Sequence, residues 1–288
     1  MPIESNFPDI HNLMREFGLR PDKRLGQNFL FDHSELQKVI LAAKIEPEDT
    51  VLEIGPGLGN LTCLLATQAQ RVVAVELDHR LIPALRQAVS PYSNIEIIQG
   101  DILQVNINEI MHQPGYLVVA NIPYYITSTL IRQLLETQMP PKRMVLTVQS
   151  EVAERICAEP GDMSLLAISV QVYGKPSIAA YIPAEAFYPP PKVDSAVVCV
   201  ELFTEPLLDT NLLKIFFSLA KAGFSQKRKT LKNALSAGMR WSSKKTIQLL
   251  ETAGIDPQRR AETLSLDEWA ILAEQTKLLP PEYEEKSG

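Results

Sequence analysis

Cysteine is scarce: Cys63, Cys157 and Cys199 are the only three in 288 residues, and none forms a CxxC pair or a Cys/His cluster. A disulfide framework is therefore excluded, no zinc site is supported, and the expected setting is reducing and cytoplasmic, with no bound metal. No apolar run approaches the roughly 20 residues that cross a bilayer, so no membrane partner is expected. Residues 1–17 carry acids and lack both a basic start and an apolar stretch, which does not read as a secretory signal. Internal repeats and low-complexity segments are absent. Basic charge is also in deficit, 28 Lys and Arg against 34 Asp and Glu, for a net charge of −6. Taken as a sum, that argues mildly against nucleic acid.

The distribution says more than the sum. From Lys214 to Arg260 the chain carries Lys221, Lys227, Arg228, Lys229, Lys232, Arg240, Lys244, Lys245 and Arg259, with Glu251 and Asp256 as the acids. A second basic segment holds Arg15, Arg20, Lys23 and Arg24, and the tail with Glu282, Glu284 and Glu285 is acidic and expected to fray. Solvated helix faces and a phosphate-binding surface both account for such runs. With 45% hydrophobic residues, the chain can bury a full α/β core and a smaller appended domain.

Between Thr50 and Gln149, short runs of Val, Ile and Leu alternate with helical patterns. Strands are expected at Thr50–Ile54, Arg71–Glu76, Ile95–Gln99, Leu117–Ala120 and Met144–Val148. Helices are expected at Leu61–Gln68, Arg80–Val89 and Ile126–Glu136. Apolar runs without alternation suit strands buried on both faces, and this order implies βαβ units and a parallel sheet. Beyond Gln149, a helix at Ser164–Tyr173 precedes strands at Ser177–Ile182 and Ala196–Phe203, a pair suited to antiparallel pairing at the sheet edge. The remainder reads as helical: Leu212–Ala222, Lys227–Ala237, Lys244–Ala253 and Leu266–Glu274. The expected architecture is α/β, a Rossmann-like sheet with a small all-helical C-terminal domain, divided into residues 1–205 and 206–288.

Four elements carry chemistry. Val51–Thr62 runs a strand into Gly55-Pro56-Gly57-Leu58-Gly59 and then a helix. Glycines let backbone approach a ligand, and the helix N-terminus beyond favours negative charge. An ordinary βα turn looks similar, but the GxGxG spacing departs from the GxGxxG of dinucleotide sites. Glu76 ends the next strand about twenty residues on, where an acid accepts from both hydroxyls of a ribose. Asp101 follows the third strand, where its carboxylate can accept from an adenine amine, although Gly-Asp is also a common turn. The most specific element is Asn121-Ile122-Pro123-Tyr124 after the fourth strand. The lone pair of an adenine N6 is delocalised into the ring, so it is a poor nucleophile. The Asn121 carbonyl and a main-chain carbonyl of Ile122 or Pro123 can hold both N–H bonds aside and aim the lone pair, with no strong base required. Pro123 stiffens the loop, and Tyr124 offers a face to a flipped-out base.

With these elements in register, the chain resembles the KsgA/Dim1 family of ribosomal RNA adenine dimethyltransferases from about Arg20 to Leu272. The resemblance extends to Leu25-Gly-Gln-Asn28-Phe-Leu30, to Ala186-Phe187-Tyr-Pro-Pro-Pro-Lys192-Val-Asp194-Ser-Ala-Val197, and to Phe224-Ser-Gln-Lys227-Arg228-Lys229-Thr-Leu-Lys232-Asn-Ala-Leu235. Ile122 stands where Leu is more usual. The resemblance implies a class I S-adenosylmethionine methyltransferase with Asn28, Leu30, Gly55, Glu76, Asp101 and Asn121 around the cofactor. It implies Asn121, Ile122, Pro123 and Tyr124 at the target base, with Phe187 as a second aromatic wall where a core aromatic is the plainer reading. The implied substrate is a pair of adjacent adenosines near the 3′ end of small-subunit ribosomal RNA, each dimethylated late in subunit assembly. The helical domain is then expected to bind RNA and the small ribosomal subunit through Lys227, Arg228, Lys229 and Lys232, and the protein to be a monomer.

Three other readings compete. Macrolide-resistance methyltransferases act on large-subunit RNA but differ in their second domain and are typically basic. A ribosome-assembly factor needs binding without catalysis. A nicotinamide oxidoreductase needs a proton-transfer residue, for which His11, His33, His79 and His112 have no obvious placement.

Overall fold

The computed structural model describes residues 7–278, which leaves the acidic tail outside the described residues. The chain divides into two compact units, Met1–Glu154 with Gly174–Thr204, and Arg155–Tyr173 with Glu205–Gly288. The break at Thr204 coincides with the change of pattern in the sequence. Residues 155–173, however, belong to the second unit rather than to a continuous first domain ending at 205. The apolar side chains Met163, Ala167, Ile168 and Val172 of that stretch bury themselves in the helical core. Pattern alone gives no sign of which core an amphipathic segment will join.

The first unit holds β1 (Phe29–Leu30), β2 (Thr50–Ile54), β3 (Arg71–Glu76), β4 (Ile95–Gln99), β5 (Leu117–Asn121), β6 (Arg143–Gln149), β7 (Gly174–Ile182), β8 (Phe187–Tyr188) and β9 (Ser195–Leu202). Seven of them form one sheet in the order β4-β3-β2-β5-β6-β9-β7, and β1 pairs with β8 apart from it. Strands β2 to β6 are mutually parallel, while β9 runs antiparallel to β6 and β7 antiparallel to β9. The central strands carry the residues this arrangement demands: Val51, Leu52, Val72, Val73, Val118 and Val119 are all inaccessible, as strands covered on both faces must be. The chain moves outward from β2 to β3 and β4, then returns to β5 on the other side of β2. That reversal opens a crevice at the carboxyl ends of β2 and β5.

Around the sheet lie α1 (Ile10–Glu16), α2 (His33–Ala43), α3 (Asn60–Ala66), α4 (Ile82–Ala88), α5 (Ile107–Met111), α6 (Thr127–Leu135) and the start of α7 (Ser150–Ile156). Helix α2 is capped by Asp32, whose side chain accepts from the Glu35 N–H, and it buries Leu36, Val39, Ile40 and Ala43 at helical spacing. Strand β7 begins three residues before the expected Ser177. Pro176 lacks an N–H, but β7 is the outermost strand, where the missing donor costs no ladder bond.

The second unit packs α8 (Leu165–Gln171), α9 (Thr210–Phe224), α10 (Leu231–Met239), α11 (Ser243–Thr252) and α12 (Leu266–Lys277) around Phe216, Leu219, Leu235, Leu250 and Trp269. Helix α12 starts in a capping box between Ser265 and Glu268, and Arg259 bonds the same glutamate. Among the boundaries that differ from expectation, the largest shift is at α10, which starts at Leu231 rather than Lys227. The Leu231 and Lys232 N–H groups donate to the Arg259 and Pro257 carbonyls, and Lys227–Lys229 form a turn ahead of the helix. Three consecutive cations in the first turn would oppose the helix dipole, so the basic run sits outside it.

Gly223 of α9 has room for nothing larger than hydrogen, because a Cβ there would lie 2.5 Å from Cη2 of the buried Trp269. Gly223→Val is expected to lower the stability of the helical unit by about 1–3 kcal/mol through overpacking, despite replacing a helical glycine. The urea unfolding midpoint is the measurement, and an unchanged midpoint would refute the packing argument.

Candidate active site

The crevice at the switch point holds an open cavity whose empty space, solvent at its mouth included, is about 940 Å³. Its floor is made from the ends of four parallel strands. The β2–α3 turn contributes Gly55 and Gly57, β3 ends in Glu76, the β4 end contributes Asp101, and β5 ends in Asn121. Asn28, Ile122, Pro123 and Tyr124 complete the wall. Thus the structure gathers Asn28, Gly55, Glu76, Asp101, Asn121, Ile122, Pro123 and Tyr124 into one cavity, from five separate stretches of chain.

Two of the expected residues lie elsewhere. Leu30 borders a smaller cleft beside Gly55 and Glu53 and belongs to the core. Phe187 is 2% exposed, paired through β8 with Leu30 of β1, and packed into the same core. It does not line the cavity, so the geometry gives it the plainer role of a core aromatic. Lys227, Arg228 and Lys229 are exposed on the second unit, and Lys232 is half-buried.

The glycine turn and the β3 acid are locked together. Gly57 N–H donates to Glu76 Oε2 at 3.0 Å, and Asp78 N–H donates to Oε1 at 2.8 Å. Gly57 has φ +58, and a Cβ on it would sit 2.9 Å from the Phe29 ring. Only glycine meets both demands. Burial raises the Glu76 pKa, with the two N–H donors opposing that rise. Each carboxylate oxygen keeps a lone pair for a further donor.

A second layer was not legible in the sequence. Gln27 receives the Asp22 N–H on Oε1 at 2.7 Å and donates from Nε2 to Asp78 Oδ2 at 2.8 Å. Arg80 closes on Asp78 at 2.6 Å and, through its side-chain hydrogen bonds, holds that carboxyl down at about 2. The segment before β1 is thereby tied to the end of β3. Asp101 caps its own turn, accepting from Leu103 N–H at 3.0 Å and Gln104 Nε2 at 3.1 Å.

At the end of β5, Asn121 Nδ2 donates to the Asn28 carbonyl at 2.9 Å. With Nδ2 so committed, Oδ1 is the amide atom left to accept. The Pro123 carbonyl already accepts from Ile126 N–H at 3.1 Å, whereas the Ile122 N–H is anchored on the Thr147 carbonyl at 3.2 Å. Tyr124 is held by a 2.8 Å hydrogen bond between its hydroxyl and that of the buried Ser195, and burial raises its pKa.

Glu53, the penultimate residue of β2, is 1% exposed, and among the described residues neither carboxylate oxygen has a hydrogen-bond partner. Burial pushes it from an ordinary 4.5 up to about 8; the Thr62 hydroxyl opposes this without closing a bond of normal geometry, and the Glu76 charge adds to it. A carboxyl left unpartnered beside a glycine turn is a costly feature, and a cationic ligand group reverses that cost.

A mostly parallel seven-stranded sheet with a glycine turn after its first long strand, and acids at the ends of the next two, defines a class I, Rossmann-like methyltransferase. The profile of the ribosomal RNA adenine dimethylase family matches residues 18–277. A relative named ribosomal RNA small subunit methyltransferase A, from Dehalococcoides mccartyi (strain ATCC BAA-2266 / KCTC 15142 / 195), is 48% identical over 261 residues, 90% of each chain. The crystal structure of a dimethyladenosine transferase from Plasmodium falciparum superposes with a TM-score of 0.74 at 30% identity, covering 85% of this chain and 96% of that one. That of the 23S rRNA methyltransferase ErmE gives 0.72 at 27% identity, covering 87% and 100%. The chain belongs to the ribosomal RNA adenine dimethylase family and is a methyltransferase; membership implies S-adenosylmethionine as methyl donor.

Because folded Glu53 keeps its proton up to about pH 8 while the unfolded chain loses it near 4.5, stability falls as pH rises through that window. Glu53→Gln is expected to melt close to the wild type near pH 5 and above it at pH 8.5 in the absence of ligand. A melting difference that does not change with pH would show that Glu53 is not buried as a neutral acid.

Proposed function

We propose that this enzyme transfers methyl groups from S-adenosylmethionine to the N6 amines of two adjacent adenosines near the 3′ end of small-subunit ribosomal RNA, acting late in subunit assembly. The observation that carries the reading is the Asn121 amide, pinned through Nδ2 to the Asn28 carbonyl at the end of β5. It leaves one fixed acceptor in the cavity that also holds Glu76.

The residues present fit the cofactor. The unpartnered Glu53 carboxyl answers an ammonium group, the open backbone at Gly55 admits a ligand chain, and Glu76 retains acceptor capacity for a ribose diol. Asp101 keeps a lone pair on each oxygen for an adenine amine. Asn28 lines the same cavity beside the glycine turn. S-adenosylmethionine supplies a methyl group on a sulfonium centre and departs as S-adenosylhomocysteine.

The protein's own work is positioning. Asn121 Oδ1 and the Ile122 carbonyl accept the two N–H bonds of the target amine, turning its lone pair out of conjugation. Ile122 is preferred to Pro123 because the Pro123 carbonyl already shares one of its two lone pairs with the Ile126 N–H. Tyr124, fixed through Ser195, supplies the face against which the extruded base lies. A monomethylated amine retains one N–H, so the second transfer needs one of the two acceptors. No side chain has to act as a strong base, since the proton becomes acidic once the nitrogen is alkylated. Lys227, Arg228, Lys229 and Lys232 of the helical unit contact RNA phosphates of the small ribosomal subunit, which fixes register rather than reading sequence.

The fold by itself does not separate this reading from action on large-subunit RNA, because the solved 23S enzyme shares it. The 48% identity to a small-subunit enzyme favours the small subunit. Labelled S-adenosylmethionine with small subunits lacking the modification is expected to give N6,N6-dimethyladenosine near the RNA 3′ end. Asn121→Ala should reduce the rate by on the order of 100-fold or more. Label on large subunits instead would overturn the assignment, and binding without label would leave an assembly factor.

Replacing Lys227, Arg228 and Lys229 by alanine is expected to weaken subunit binding and flatten its dependence on salt. Each phosphate that is no longer neutralised takes roughly 0.7–0.9 from the slope of log K against log salt. An unchanged slope would take the basic turn out of the interface.

A further inference from the structure

Tyr124 and Tyr125 are consecutive, both line the cavity, and both lie in the 3-10 turn Tyr124–Ile126. Successive side chains of such a turn diverge by about 120°, so the two rings cannot serve the same face of one base. Their settings differ accordingly. Tyr124 is partly buried, with its hydroxyl bonded to Ser195 at 2.8 Å. Tyr125 is 60% exposed. It is also braced: the Cδ1–Cε1 side of its ring rests against Gly26, where a Cβ would lie 3.4 Å from Cδ1 and 3.6 Å from Pro123 Cβ. Gly26 adopts φ +62 at the end of the turn Lys23–Leu25, and a side chain there would press on the ring.

An isolated exposed aromatic carries no message. This one stands at the mouth of the cavity, one residue from the ring assigned to the target base. A base drawn out of its stack leaves its neighbour without a stacking partner, and a protein ring at the rim replaces it regardless of base identity. Phe187, the aromatic expected to share the work, is inside the core.

We infer that Tyr125 is the stacking platform for the nucleotide adjacent to the target adenosine. The subsite takes an unpaired nucleobase, and the inference rests on the adenine-N6 reading above. It gives the catalytic turn two jobs: Tyr124 receives the reacting base, and Tyr125 holds the next one at the mouth. With two adjacent target adenosines, strand polarity puts one of them on the outer platform while the other reacts, and the flanking nucleotide takes that place in the other round.

The test uses the full chain, unmethylated small subunits, and matching subunits whose RNA carries an abasic site beside a single target adenosine. Tyr125→Ala is expected to lower kcat/KM on intact subunits by on the order of 10- to 100-fold, the range of a single base–aromatic stack. Tyr125→Phe should restore the rate, and S-adenosylmethionine affinity by calorimetry should be unchanged. On the abasic substrate the wild type should fall to the level of Tyr125→Ala, which should lose little more. Tyr125→Ala within about threefold of wild type on intact subunits, additive losses on the abasic substrate, or an equal loss of cofactor affinity would each overturn the inference. Tyr124→Ala run alongside separates the two failures. Full activity in that variant would sink the underlying site reading, whereas its inactivity beside a normal Tyr125→Ala would sink this inference alone.

Discussion

The parallel pairing of β2 with both β3 and β5 is the constraint on which the rest of the first unit depends. Val51 sits opposite Val72 on one side and Leu117 on the other, and the register continues to Ile54 against Val75 and Ala120. Because these strands run the same way, their chemistry-bearing ends emerge together: the glycine turn, Glu76 and Asn121. A slip of one residue in either ladder would turn Asn121 or Glu76 to the opposite face of the sheet. Inaccessible Val, Leu and Ile side chains on both faces make such a slip expensive. Catalytic geometry is thus maintained by apolar burial some distance from the chemistry.

A second tier of hydrogen bonds converts that scaffold into a site. Gly57 and Asp78 N–H groups fix the Glu76 carboxylate, Gln27 ties the segment before β1 to Asp78, and the Asn28 carbonyl fixes the Asn121 amide. The segment containing Gln27 and Asn28 therefore touches both halves of the site, the end of β3 and the end of β5. Rigid acceptors matter here because the proposed catalysis is positional. An amide free to rotate would present Nδ2 as readily as Oδ1, and a donor aimed at the target amine would repel its hydrogens.

Buried acids give the site its electrostatic character. Glu53 and Glu76 lie in surroundings that disfavour their charged forms, whereas Asp78, paired with Arg80, stays ionised. Unsatisfied acceptor capacity next to a glycine turn is a standing cost to the folded chain, which a bound cation and a ribose diol can offset. The helical unit follows a different logic. Its core is apolar, and its cations sit in turns and on outer faces, as the displacement of Lys227–Lys229 from α10 illustrates.

The sequence by itself determined the local and the periodic. Strands β2 and β3 fall where their Val-rich runs place them, because burial on both faces leaves a largely apolar signature, and the half-exposed edge strand β4 falls on its Ile-rich run. The glycine turn, Glu76 and Asn121-Ile122-Pro123-Tyr124, which line one cavity, are legible because each proposed role demands a particular residue type at a strand end. Helix α2 is absent from the expected elements, yet Asp32, Glu35 and the spacing of Leu36, Val39, Ile40 and Ala43 carry its signal. Tertiary structure alone decided the remainder. That Phe187 packs into the core, which unit claims residues 155–173, and that Gln27 meets Asp78 and Tyr124 meets Ser195 all depend on residues far apart in the chain. Such pairings arise when two cores and one sheet register are satisfied together, and no local pattern of side chains encodes that outcome.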